Sequence, residues 1–145
     1  MSFASDMARW AEQSNRTLDS VTRQIRLQAV ELVTEKMPVD TGQARGSLIA
    51  SIGSPADSPD IKDATTSGAI TRAQGAVNSP TNNVFYYTSN LPYIAVIERG
   101  GFGTGSGATN KTTRDGYSIQ APSGVFAISA VQLHEGTRDI INANN

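Results

Sequence analysis

Residues 5–37 contain neither glycine nor proline, and the run stops at Pro38. Within it Met7, Trp10, Leu18, Val21, Ile25, Ala29, Leu32 and Val33 recur at helical spacing, with Ser14 as the polar interruption. Arg9, Glu12, Arg16, Asp19, Arg23, Arg26, Glu31 and Glu35 fall on the opposite side. That pattern predicts one amphipathic helix, with Ser5 as its N-cap and Asp6 in the first turn. About 32 residues at ~1.5 Å each give a rod of roughly 48 Å. A compact chain of this size has a radius of gyration near ~15 Å and is about 40 Å across. A straight helix therefore overhangs its own body, carrying Met7 and Trp10 into a region that a neighbouring subunit or another protein would cover. The alternative is a bend or break near residues 14–17 that keeps the helix within the fold.

The segment that ends this helix reads Pro38-Val39-Asp40-Thr41-Gly42-Gln43-Ala44-Arg45-Gly46-Ser47-Leu48. Pro38 cannot continue a helix and turns Met37 away from helical dihedrals. Asp40 and Thr41 can bond nearby amides, and Gly42 can take a positive φ. Residues 38–48 are thus a joint that redirects the chain.

Beyond the joint the signals are short. Residues 44–52 read as one helical turn followed by a strand, and residues 53–67 as an exposed loop. Residues 68–78 read as a weak strand interrupted by Gly75. Val84-Phe85-Tyr86-Tyr87-Thr88 carries the strongest strand signal. Residues 91–100 predict a short helix with Pro92 in its first turn and Gly100 at its stop. Residues 100–116 form a glycine-rich loop. Gly103-Thr104-Gly105-Ser106-Gly107-Ala108 fits a loose dinucleotide pattern, but no strand enters it and no apolar helix leaves it. Tyr117, Ile119 and Ala121 alternate like a brief strand. Ser123 is then the expected N-cap of a closing helix over 123–142, with Phe126, Ala130, Leu133, Thr137 and Ile141 on one face and a frayed end near Gly136. The same apolar run also alternates like a strand. The fold class is α+β: an N-terminal and a C-terminal helix packed on a small, mostly antiparallel sheet spanning 44–121, with long mobile loops over 53–67 and 100–116, in one domain.

Composition narrows the function. Twelve basic residues balance 13 acidic ones for a net charge of −1, against the basic face that nucleic-acid binding needs. No stretch reaches the ~18 apolar residues of a membrane span, and residues 1–6 lack a signal-peptide pattern. With no cysteine, disulfides, thiol catalysis and cysteine-bound zinc are excluded, and synthesis in a cytoplasm is expected. Hydrophobic content of 38% implies a lean core.

Candidate chemistry is sparse. His134 is the single histidine, so no histidine metal cluster can form, and it reads as a surface or packing residue with a general base as the alternative. Glu98 sits inside an apolar segment. Burial there could raise its pKa for acid catalysis; the other reading is a cap or a pair with Arg45 or Arg99. Asp57, Asp60 and Asp63 do not have calcium-loop spacing. No catalytic, cofactor or metal site is expected, and no cofactor.

Three segments in order carry a resemblance: Pro38-Val39-Asp40-Thr41-Gly42 with Arg45, Gly46 and Ser47; Pro92-Tyr93-Ile94-Ala95-Val96-Ile97-Glu98-Arg99-Gly100; and Tyr117-Ser118-Ile119-Gln120-Ala121-Pro122-Ser123-Gly124-Val125. The chain resembles the neck or tail-completion proteins of tailed bacteriophages, including the minor tail protein Z relatives. Two departures stand out: residues 101–116 are inserted between the last two motifs, and Val125 replaces the usual methionine. The resemblance implies a structural virion protein of the head–tail junction, made in the bacterial cytoplasm. It would be one subunit of a ring, hexameric by expectation, touching the head-side connector or stopper, the tail terminator or the tail tube, with no membrane and no specific nucleic acid. Pro38, Asp40, Thr41, Gly42, Glu98, Gly100, Pro122 and Gly124 would then be joint residues, and Met7, Trp10, Leu18 and Phe102 assembly contacts. The rival readings are a tail terminator ring protein and a small hydrolase using Glu98 or His134.

Overall fold

The computed structural model describes residues 2–38, 43–57, 65–100, 117–118 and 120–144. The order of elements is α1 (Phe3–Lys36), α2 (Gln43–Gly46), β1 (Ile49–Ile52), α3 (Thr66–Val77), β2 (Phe85–Thr88), α4 (Ile94–Arg99) and α5 (Phe126–Ala143). The architecture is α+β, a long N-terminal and a C-terminal helix with a two-stranded antiparallel sheet. Asp40, Thr41 and Gly42 of the joint, and residues 58–64 and 101–116, lie outside the described residues.

Helix α1 is continuous over 34 residues, so there is no break at 14–17. Its N-cap is Ser2, not Ser5: the Ser5 amide donates to Ser2 Oγ, which starts the helix one turn earlier. Met37 takes an extended conformation (φ −67°, ψ 127°), as a residue before proline must, and ends the helix. Pro38 is buried at that end.

Helix α3 corrects the weak strand read over 68–78. Ala69, Ala73 and Val77 recur every four residues and are all buried, and Thr65 Oγ1 accepts the Gly68 amide as a cap. Gly75 lies on the exposed side with open space around its Cα. Strands β1 and β2 pair with Ala50 opposite Tyr87 and Ile52 opposite Phe85. Alternation puts these four on one face. That face meets Leu27 and Val30 of α1 and Ile70, Ala73 and Val77 of α3. A second cluster joins Val33, Met37, Ala44, Leu48, Leu91, Ile97, Ala121 and Val125. Tyr87 packs against both clusters, and its hydroxyl lies 2.7 Å from Thr34 Oγ1.

The stretch before α5 is a turn rather than a strand: the Ala121 amide donates to the Ser118 carbonyl. Ile119 lies outside the described residues. Helix α5 begins at Phe126 and runs without fraying through Gly136 to Ala143. It packs antiparallel on α1, with Asn144 bonded to Gln24 and Gly136 against Gln28. Its covered face runs through Ser129, Leu133, Gly136, Thr137 and Ile140, leaving Ala130 and Ile141 of the expected face exposed. At Gly136 a Cβ would come within 2.7 Å of the Gln28 amide nitrogen, so this glycine permits close helix contact.

Candidate functional site

The end of the joint and the second and third motifs meet in space. Leu48 of the joint, Ile97 from the second motif, and Ala121 and Val125 from the third pack in one cluster with Met37. Glu98 couples the second motif to the third. Its Oε2 accepts the amides of Val125 and Phe126, and its Oε1 that of Ala127, all at 2.8 Å. These are amides at the opening of α5, which have no partner inside the helix. Val125 holds the N-cap position without a side-chain bond, so Ser123 is not the cap. A carboxylate from another segment satisfies the helix start and answers its dipole.

Gly124 makes this approach possible. Its φ is 79°, and a Cβ there would stand 2.5 Å from the Glu98 carbonyl oxygen. Gly100, with φ 78°, ends α4 by donating its amide to Val96. Pro122 is exposed in the turn that leads into Gly124. Desolvation pushes the Glu98 pKa up, but the Ala127, Val125 and Phe126 amides and nearby Arg99 outweigh it and hold the pKa below the usual 4.5. Glu98 is therefore an ionised acceptor near neutrality, not a carboxylic acid with a proton to give.

Arg45 does not pair with Glu98. Its Nε donates to the Thr34 carbonyl at 3.0 Å and a terminal nitrogen donates to the Met37 carbonyl at 3.2 Å. A cation thus closes the C-terminal end of α1, where the dipole is negative. Arg26 does the same for α3. It is only 4% exposed, and it was expected on the solvent side of α1. Its guanidinium donates to Ala76, Val77, Ser79, Pro80 and Asn83 carbonyls at 2.9–3.4 Å and stacks 5.6 Å from the Phe85 ring centroid. The signal was present: Arg26, Val30, Val33 and Met37 form a second stripe in steps of four, three and four. Arg26 begins that stripe, and only its charge argued for solvent.

The other predicted residues lie on α1. Met7, Trp10 and Leu18 are 47%, 64% and 63% exposed, and Phe3, which sequence reasoning passed over, is 81% exposed. Every residue from 2 to 13 is exposed. Contacts with the body begin near Asp19, whose carboxylate accepts from the Thr81 hydroxyl. Phe102 lies outside the described residues, as do Asp60 and Asp63.

An open groove of about 410 Å³ runs beside Arg26, lined by Thr22, Ile25, Ala29, Phe85, Tyr87 and Leu133 among others. Its lining holds no carboxylate and no histidine. His134 is exposed on the outer side of α5. Among the described residues no three or more His, Cys, Asp or Glu could hold a metal ion together, and no helix is long and apolar enough to cross a membrane. Comparison of the chain with protein-family models, with curated proteins and with solved structures finds no match.

Proposed function

We propose that this chain is a structural protein of a tailed-phage virion, acting at the head–tail junction as one subunit of a ring or collar that completes the neck or tail. Its partners on this reading are copies of itself and the connector, stopper, terminator or tube proteins on either side. The observation that carries the proposal is the bare N-terminal half of α1: a rigid rod with Phe3, Met7, Trp10 and Leu18 in solvent, standing off a body with a small core. The motif residues support it by their chemistry. Glu98, Gly124 and Arg45 all serve to fix helices at set angles, and none presents a reactive group to a pocket. No catalytic role is assigned to Glu98 or His134.

Electron microscopy of lysates from a phage with an early stop codon in this gene tests the proposal. Filled heads beside separate tails, rejoined on adding the protein back, are the expected result. Normal infectious particles would overturn it.

A further inference from the structure

The apolar stripe of α1 runs on one face through Phe3, Met7, Trp10, Ser14, Leu18, Val21, Ile25 and Gln28, in steps of three and four. Over its second half this face is the seat of α5: Gln28 meets Gly136, Gln24 bonds Asn144, and Ile25 and Leu133 line one groove. Helix α5 ends level with Gln24, but the stripe continues for about 31 Å to Phe3 with nothing on it among the described residues. The bare stretch therefore has the face, width and direction of a helix seat that no described residue of this chain fills.

We infer that the occupant is the same stretch of a second copy, laid antiparallel about a two-fold axis through Trp10 and Ala11. The sequence is self-complementary in that register. Phe3 lies level with Leu18 of the other copy, Met7 with Ser14 and Trp10 with Ala11, so large residues meet small ones around the centre. Ala4 and Ala11 flank the stripe and allow the helix axes to come within ~8–10 Å. Charge does not oppose the pairing. Arg9 bonds Asp6 at 3.2 Å and Arg16 bonds Glu12 within each arm, and Asp6 lies level with an uncharged Asn15. The incoming helix starts level with Asp19, about 7 Å along the axis from the level of Gln24 where α5 stops. Its positive N-terminal end thus faces the negative C-terminal end of α5. Phe3 and Trp10, at roughly 150–250 Å² each, together with Met7, Leu18 and the alanines, bring the covered area of two arms to about 1,000 Å², the lower bound for a specific interface.

The pairing rests on reading the arm as an assembly surface, and it adds the state of the chain before assembly. A two-fold contact closes at two copies and cannot continue around a ring. In a ring each arm must leave its twin for a neighbour, so the pair keeps the free chain from exposing its stripe.

Trp10 is the only tryptophan and the chain has no cysteine, so two clean probes exist. Light scattering of the full chain at high micromolar concentration should give twice the 15.3 kDa of one chain. The Trp10 emission should shift to the red on dilution, in step with loss of the double mass. Met7→Asp should abolish both signals while leaving the far-ultraviolet helix signal and body stability unchanged. On oxidation, Ala11→Cys alone should link into a dimer. Phe3→Cys and Leu18→Cys should each stay unlinked and link only when mixed. A monomer at every concentration, or linkage of Phe3→Cys to itself as in a parallel bundle, would overturn the inference. Neither result touches the stop-codon experiment, so the pairing and the head–tail reading can fail separately.

Discussion

Replacing Glu98 by alanine should cost more than its partly solvated position suggests, because three amides and one helix end lose their partner together. Loss of an N-cap costs about 1 kcal/mol, and a negative charge at a helix start contributes a further ~0.3–1 kcal/mol. The outermost bond, to Ala127, is solvent-exposed, so the lower part of the range for charged hydrogen bonds applies. Together these give roughly 1.5–3 kcal/mol. At about 3 °C per kcal/mol for a chain of this length, Glu98→Ala should lower the Tm by about 5–9 °C. Glu98→Gln keeps one acceptor oxygen and turns an NH2 toward the amides, so about half of that loss is expected.

The pH dependence separates the cap from mere packing. The folded-state pKa of Glu98 is lowered, so its contribution is complete above the unfolded value of 4.5 and is lost as pH falls through the folded value. The Tm gap between wild type and Glu98→Gln, followed by circular dichroism, should therefore be widest near neutrality and close in acid, where both side chains are neutral. A gap that stays constant down to about pH 3, or a Glu98→Ala variant within about 1 °C of wild type at neutrality, would refute the reasoning.

Three further outcomes follow from the same geometry. Gly124→Ala should lose about 3 kcal/mol in denaturant unfolding, since its φ of 79° and the carbonyl 2.5 Å from the new Cβ both oppose it. Of the two helical glycines, Gly75→Ala should gain about 0.5–1 kcal/mol in open space, whereas Gly136→Ala should show no gain because Gln28 must move; the same stability on both would disprove the close α1–α5 contact. Arg26→Met should lose about 2–4 kcal/mol by stranding buried carbonyls, and Arg26→Lys should recover only part of it, as read by midpoint shifts in urea.

Element types were legible where one residue pattern settled them. The long Gly- and Pro-free run, the aromatic strand at Phe85–Thr88 and the glycine that stops α4 all appear where the sequence places them, whereas Pro92 lies in the turn before α4 and not in its first turn. Helix α3 was hidden by its own composition. Its buried face is built from Ala69, Ala73 and Val77, too small to stand out, and Gly68 and Gly75 mask the period although one sits in the first turn and the other on the open side. The start of α5 is hidden for a different reason. Ser123 offers a local cap, but the capping group comes from a residue 27 positions away, and no local spacing encodes it. The exposed residues of the arm were legible because the helix outruns a body of this size, and no described residue covers Phe3, Met7, Trp10 or Leu18.

Glu98, Arg45 and Arg26 also explain how so lean a core holds α1, α3 and α5 at fixed angles to a two-stranded sheet. Each is a charge aimed at the end of a helix that belongs to a different part of the chain, where orphaned amides or carbonyls and the helix dipole favour it. The ion pairs among the described residues, Arg9 with Asp6 and Arg16 with Glu12, are both on the exposed arm, where such pairs contribute little. Order in the body thus comes from such caps, added to two small clusters that share Tyr87. A body built this way keeps its helix directions without a large core, and among the described residues it leaves the apolar half of α1 uncovered. That division of a rigid base from an uncovered arm follows from where the charges sit, and it is the physical ground on which the assembly reading rests.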